Sequence, residues 1–194
     1  MEEKNLLILY SGGADSLLML KLALECRYKP YCLLIDYEQL HKEELKFAKR
    51  QIVKHDILHA YSTIKISDMN INSGLTGDGE KNISGDVHEM HVPGRNTIFL
   101  SLAFSKAESL GIETIWIGSD WSDRLNLFPD CYPEYIIQMN ELFKLAGPKN
   151  ITVEAPLMGL TKITILNILK SYGINEDQLF SGYGELEWIL KNIK

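Results

Sequence analysis

Apolar residues fall in two textures along this 194-residue chain. The first is the short, unbroken run: residues 5–10 (NLLILY), 31–37 (YCLLIDY) and 114–119 (TIWIGS). Such runs, without polar alternation, are what strands buried on both faces of a parallel sheet require. Residues 60–66 and 151–154 are read as two more strands, third and fifth in chain order. The second texture is longer and periodic. Residues 15–26 (DSLLMLKLALEC) carry no breaker and read as a helix. Residues 43–55 put Leu45, Ala48, Ile52 and Val53 on one face of another. A helix over 96–110 is closed by Gly111 as its C′ residue. One over 133–146 starts with proline in its first turn. One over 161–172 has Thr161 as N-cap, and residues 185–193 form a terminal helix. Strands alternating with helices predict an α/β fold, an open five-stranded, mainly parallel sheet with right-handed crossovers. Two stretches break the rhythm. Residues 67–93 and 120–133 are rich in polar residues and turn formers and are expected as functional loops. With no repeat, low-complexity tract or linker, a single domain over 1–194 is expected.

Composition narrows the class. Hydrophobic residues at 45% and charged residues at 24% describe a globular chain with enough apolar side chains for its own core. Lys+Arg is 20 against Asp+Glu 26, a net charge of −6, which argues against a broad nucleic-acid-binding surface. The three cysteines, Cys26, Cys32 and Cys131, form no C-x-x-C, so neither a cysteine-rich zinc site nor a disulfide framework is expected. The start lacks a signal-peptide pattern, and no run nears the roughly 18 apolar residues of a membrane span. The expectation is a soluble, cytoplasmic protein.

The candidate chemistry sits where the first strand meets the first helix, in Ser11-Gly12-Gly13-Ala14-Asp15-Ser16. Ligands of open α/β sheets bind beyond the carboxyl ends of the strands. A helix N-terminus there offers unpaired N–H groups and a partial positive charge. Glycines let the backbone approach a phosphate, and hydroxyls at both ends add polar contacts. The alternative from Ser-Gly-Gly alone is an ordinary strand–helix corner with Asp15 as a cap. The loop is neither a Walker A loop nor G-x-G-x-x-G.

The full S-G-G-x-D-S resembles the PP-loop of the ATP pyrophosphatase superfamily, whose members cleave ATP between the α- and β-phosphates. Further segments follow in order: Asp36-Tyr37-Glu38-Gln39-Leu40-His41, Val92-Pro93-Gly94-Arg95-Asn96, Gly118 with Asp120 and Asp123, Pro129-Asp130-Cys131, and Pro156-Leu157-Met158 before Lys162. This series, from about residue 5 to about residue 183, resembles the 7-cyano-7-deazaguanine synthase family, nitrile-forming enzymes of the queuosine and deazapurine pathways. The resemblance implies an adenine nucleotide alpha-hydrolase-like sheet in the order 3-2-1-4-5. It implies ATP and Mg²⁺ as cofactors, 7-carboxy-7-deazaguanine and ammonia as reactants, and a homodimer. Direct nucleic-acid or membrane binding is not expected.

Under that resemblance, Tyr10, Ser11, Gly12, Gly13, Ala14, Asp15, Ser16 and Leu17 hold the nucleotide, joined by Asp36, Tyr37, His41, Gly94 and Arg95. Gly94, Arg95, Asn96, Asp120, Asp123, Phe128, Pro129 and Asp130 hold the deazaguanine, beneath covering loops at about 67–95 and 120–133. Asp120, Asp123 and Asp130 offer acceptors for its N–H groups, and Tyr10, Tyr37 or Phe128 a stacking face. Asp15, Ser16, Arg95 and Lys162 are the catalytic candidates, with Asp15 also a candidate Mg²⁺ ligand. Arg95 and Lys162 are candidates for contacts to phosphates or to the substrate carboxylate.

Two departures stand out. The family usually ends with four zinc-binding cysteines. Here the first such position is Gly182, within Ser181-Gly182-Tyr183, and the others are missing, so zinc is not expected. Tyr132 stands where the family commonly has arginine after Pro-Asp-Cys. A reduced enzyme that stops at the amide or passes the activated deazaguanine to another amine is therefore an alternative, as is a silent nucleotide-binding module. The remaining features have plainer readings. His88 and His91 form H-x-x-H without a third ligand of obvious spacing. Cys131 is read as a packing residue rather than a nucleophile, Cys26, Cys32 and Trp116 as core, and Trp121 as a pocket wall or an interface residue.

Overall fold

The apolar runs bury both of their faces. In the computed structural model, residues 3–39, 43–64, 92–125, 128–147 and 149–174 are described. β1 (Lys4–Leu9) is fully buried at Leu6, Leu7 and Ile8. Because side chains alternate along a strand, Leu6 and Ile8 enter one core layer and Leu7 the other. β2 (Tyr28–Asp36) repeats the split, with Cys32 and Leu34 on the first side and Leu33 and Ile35 on the second. β3 (Leu58–Thr63), β4 (Thr114–Trp116) and β5 (Thr152–Glu154) complete the sheet. The strands pair in parallel in the order β3-β2-β1-β4-β5, the order the resemblance implies.

Helices α1 (Ala14–Glu25), α2 (Glu43–Lys54) and α6 (Lys162–Ser171) cover the first face through Leu17, Leu18, Leu45, Ala48, Ile52 and Leu166. Helices α3 (Arg95–Leu110) and α5 (Pro133–Ala146) cover the second through Leu100, Phe104, Met139 and Phe143. Covering both faces is what a parallel sheet needs. The expected stop and start signals operate. Gly111 adopts φ +71° after α3, and the Thr161 side chain accepts a hydrogen bond from the Thr164 N–H at the start of α6.

Four details differ from the sequence reading. β2 begins at Tyr28, so it runs through Pro30, near its start, where a missing N–H is tolerated. The expected loop over 120–133 contains α4 (Trp121–Leu125) and a 3-10 turn (Pro129–Cys131). Cys26, expected in the core, is exposed because it is the C-cap of α1. Val53 is 58% exposed, off the buried stripe of α2. Trp116 and Cys32 are buried as expected. Among the described residues, no helix is long and apolar enough to cross a membrane. The expectations for His41, for the His88/His91 pair, for most of the 67–95 loop, for Gly182 and for a helix over 185–193 lie outside the described residues.

Candidate active site

Gly12 makes the loop after β1 possible. Its φ is +92°, and a Cβ there would lie 2.7 Å from the Ala48 Cβ of α2. Only glycine accepts both that backbone angle and that approach. The loop is then tied by its own hydroxyls. Buried Ser16 Oγ accepts from the Gly12 N–H at 2.9 Å and donates to the Gly13 carbonyl at 3.0 Å. Ser11 Oγ accepts from the Gly13 N–H at 3.3 Å. Gly13 is the N-cap of α1 and provides no side-chain cap, so Asp15 stands in the first turn and is not a cap. Ala14 and Leu17 pack in the core below.

Lys162, the first residue of α6, spans the chain to reach this loop. Its Nζ donates to Asp15 Oδ1 at 2.7 Å and Oδ2 at 2.6 Å and forms an ion pair with Asp120 Oδ2 at 2.9 Å. Burial works against the ammonium, but the two carboxylates outweigh it, so its pKa is raised. Burial also raises the carboxyl of Asp15; the Lys162 charge opposes that and the Asp120 charge adds to it. Both Asp15 oxygens, the candidate Mg²⁺ ligands, accept from this ammonium, and each keeps a further lone pair.

Asp120 has two tasks. Its Oδ1 accepts from the N–H groups of Ser122 (2.6 Å) and Asp123 (3.1 Å), while Asp123 Oδ2 accepts from the Asp120 N–H at 3.0 Å. This reciprocal pairing is a capping box, and it explains why α4 interrupts the expected loop. With its side chain fully buried, Asp120 is a cap and counter-charge, and the expectation that it binds substrate directly is corrected. Asp123 is pushed up to about 7 by burial and then by the Asp120 charge.

A second junction lies at the start of α3. Gly94, its N-cap, has φ +67° and no side chain to cap with. Asp130 takes over from 34 residues away: its Oδ2 accepts from the Asn96 N–H at 3.3 Å. The Asn96 Nδ2 donates to the Asp130 carbonyl at 3.1 Å and to Cys131 Sγ at 3.4 Å. Val92–Asn96 and Pro129–Cys131, two separate stretches of sequence, thus form one unit. Arg95 Nη1 donates to the Tyr37 hydroxyl at 3.3 Å, with the guanidinium 5.7 Å from that ring's centre. Tyr37 packs edge-on against Phe99.

Other expected residues are placed differently. The Tyr10 ring is 2% exposed in the core, which corrects its reading as a stacking face. Asp36 accepts from the Tyr61 hydroxyl at 2.7 Å and from the Glu38 N–H at 3.0 Å. Phe128 is half-buried and Pro129 exposed. Cys131 is buried and its thiol is pushed up to about 12, chiefly by burial, which fits its packing role. Arg124, which the sequence reading passed over, lies 5.2 Å from the Trp121 ring centre and 5.7 Å from that of Tyr132. Its only signal was rarity, as one of four arginines.

The chain is similar to known proteins along nearly its whole length. The family model for queuosine biosynthesis protein QueC matches residues 5–189. A 7-cyano-7-deazaguanine synthase of Rickettsia canadensis is 34% identical over 198 residues, covering 95% of this chain and 86% of its own. One of Prochlorococcus marinus is 34% identical over 196 residues, covering 94% and 86%. Among solved structures, the NH3-dependent NAD synthetase of Campylobacter jejuni has a TM-score of 0.57 at 17% identity, covering 99% of this chain and 76% of that one. The NMN synthetase of Francisella tularensis has a TM-score of 0.57 at 13% identity, covering 92% and 65%. At those identities the structures bear on the fold alone, the open parallel sheet already described. The sequence matches go further: the chain belongs to the QueC family of queuosine biosynthesis proteins.

Proposed function

We propose that this chain is an ATP-dependent synthase that converts 7-carboxy-7-deazaguanine and ammonia to 7-cyano-7-deazaguanine. A carboxylate is a poor electrophile. In the first activation its oxygen attacks the α-phosphorus of ATP, pyrophosphate leaves, and a mixed anhydride forms. Ammonia displaces AMP to give the amide. In the second, the amide oxygen attacks the α-phosphorus of another ATP, pyrophosphate leaves, and loss of AMP with the remaining N–H protons leaves the nitrile. The chain's part is to hold the reactants in line and to meet the charge that builds on the phosphates.

The proposed roles follow from position. N–H groups at the start of α1, on the Ser11–Ser16 loop, face phosphate, and Lys162 supplies the positive charge beside them. Mg²⁺ would enter with the polyphosphate of ATP, and Asp15, whose oxygens each keep a lone pair beyond the Lys162 bonds, would hold it directly or through water. Arg95, Asn96 and Asp130 hold the deazaguanine end. Zinc has no proposed role. A single domain, a cytoplasmic location and a homodimer are proposed with this reading.

The observation that supports the reading most is the Asn96–Asp130 junction. It joins the two segments most specific to the resembled family at one helix N-terminus, and a module that merely bound nucleotide would have no need of it. The test is mass spectrometry of small-molecule products after incubation with 7-carboxy-7-deazaguanine, ATP, Mg²⁺ and ammonium, with Asp15→Ala as control. Nitrile with AMP, absent from the control, is expected. Amide without nitrile would favour the shortened reaction and direct attention to Tyr132, and no turnover would overturn the synthase reading.

A further inference from the structure

Arg124 lies against two aromatic rings, which leaves its N–H donors to be accounted for. Its guanidinium lies over Trp121, three residues earlier, and over Tyr132, eight residues later. Among the described residues it has no hydrogen bond or ion pair. A guanidinium lying over rings keeps its N–H donors in its own plane, pointing outward from the edge, where a planar anion can take two of them.

Its neighbours place its helix. The start of α4 is anchored beside the phosphate loop: Trp121 N–H donates to the Leu160 carbonyl at 3.0 Å, Ser122 Oγ accepts from the Lys162 N–H at 3.3 Å, and Asp120 pairs with Lys162. Beyond α4, Phe128 N–H donates to the Asp123 carbonyl at 3.1 Å and leads into the 3-10 turn that Asn96 grips. Arg124 therefore lies on the bridge between the proposed nucleotide and deazaguanine ends. On the phosphate side, Lys162 is already matched by two carboxylates. An anionic substrate approaching ATP here meets Asp15, Asp120, Asp123 and Asp130 and needs a cation not already paired.

We infer that Arg124, seated on Trp121 and Tyr132, is a specificity-determining residue that receives the carboxylate of the deazaguanine substrate. The inference rests on the proposed synthase reading. It separates the two activations: the acid presents a charge to Arg124 and the amide does not.

The test compares wild type with Arg124→Gln on the two substrates, 7-carboxy-7-deazaguanine and 7-amido-7-deazaguanine, each with ATP. The expected result is a KM for the acid at least tenfold higher, with the KM for the amide and for ATP within twofold of wild type. Arg124→Lys, which keeps charge but loses the planar fork, should fall between. Equal losses on acid and amide would make Arg124 structural and overturn the inference, as would a change in the KM for ATP alone or no change at all. Should a variant turn over too slowly, calorimetric titration of acid and amide in the presence of a non-hydrolysable ATP analogue reads the same difference. Wild type that binds and turns over neither compound would sink the synthase reading itself, a result distinguishable from loss of acid selectivity alone.

Discussion

Lys162 Nζ sits 2.6 Å and 2.7 Å from the two oxygens of Asp15, a residue 147 positions earlier in the chain. The first turn of α6 and the first turn of α1 are thereby joined beside the loop that follows β1. Asp120, at the exit of β4, completes the set at 2.9 Å. One ammonium shared by two carboxylates ties α1, α6 and the exit of β4 together at this loop.

Removing that ammonium should be costly. Lys162→Met leaves two carboxylates facing each other with Asp120 fully buried. A loss of about 2–3 kcal/mol is expected, below the full cost of breaking a buried pair because Asp15 is a quarter exposed. Urea denaturation measures it. Asp15→Asn added to Lys162→Met should recover part of the stability and none of the activity.

The Gly12 site predicts a steric effect with a partial remedy. Gly12→Ala meets both the +92° φ and the 2.7 Å approach to Ala48. The expected destabilisation is about 2–4 kcal/mol from left-handed backbone strain and overpacking together. Ala48→Gly in the same chain should remove the Cβ clash only, leaving the φ cost and the approach to the residue-48 backbone at 3.0 and 3.1 Å, and adding the helix cost of a glycine. Chemical denaturation of both single variants and the double variant gives the coupling between the two positions, expected to be favourable by about 1 kcal/mol.

Asp123 predicts a pH effect on stability. Its folded pKa, about 7, lies above the ordinary 3.8 because of burial and the Asp120 charge. Between those values the folded state holds a proton that the unfolded state has released. Stability from this group is therefore full below about pH 4 and is lost as pH rises through 7. Asp123→Asn keeps an oxygen to accept the Asp120 N–H and removes the titration. The melting temperature of the variant relative to wild type should rise from pH 5 to about pH 7 and level off above it.

The cysteines should sort by exposure. Cys26 is exposed, while Cys32 and Cys131 are buried with thiols each pushed up to about 12 by burial. A thiol reagent should modify one cysteine rapidly in the native protein and all three after denaturation. Intact-mass spectrometry counts them. Rapid native modification of Cys131 would contradict its packing role beside Asn96.

Much of the fold was legible because its signals are local. An uninterrupted apolar run such as Leu6–Leu7–Ile8 needs apolar partners on both faces, and that alone implies a covered parallel sheet. Pro133, Gly111 and Thr161 act on their own neighbouring N–H and C=O groups, so the helix limits they mark appeared where expected. The phosphate loop was readable for the same reason, since Gly12 and Ser16 act within a few residues of one another.

What sequence could not decide was which groups would be spent on one another. Asp120 and Asp123 read as free acceptors, but their spacing also makes a capping box, and Lys162 claims Asp120 from another element. Tyr10 read as a stacking face, and the core took it. Arg124 looked unremarkable until the turn at Pro129–Cys131 brought Tyr132 beside it. Hydrophobic patterning and turn chemistry act over a few residues, so the sequence by itself determined the layers, the helix ends and the glycine-bearing loop. The ion pairs and hydrogen bonds of Asp15, Asn96 and Asp120 join residues tens of positions apart, and Arg124 meets Tyr132 only through the turn between them, so only the packed tertiary structure decided these partners.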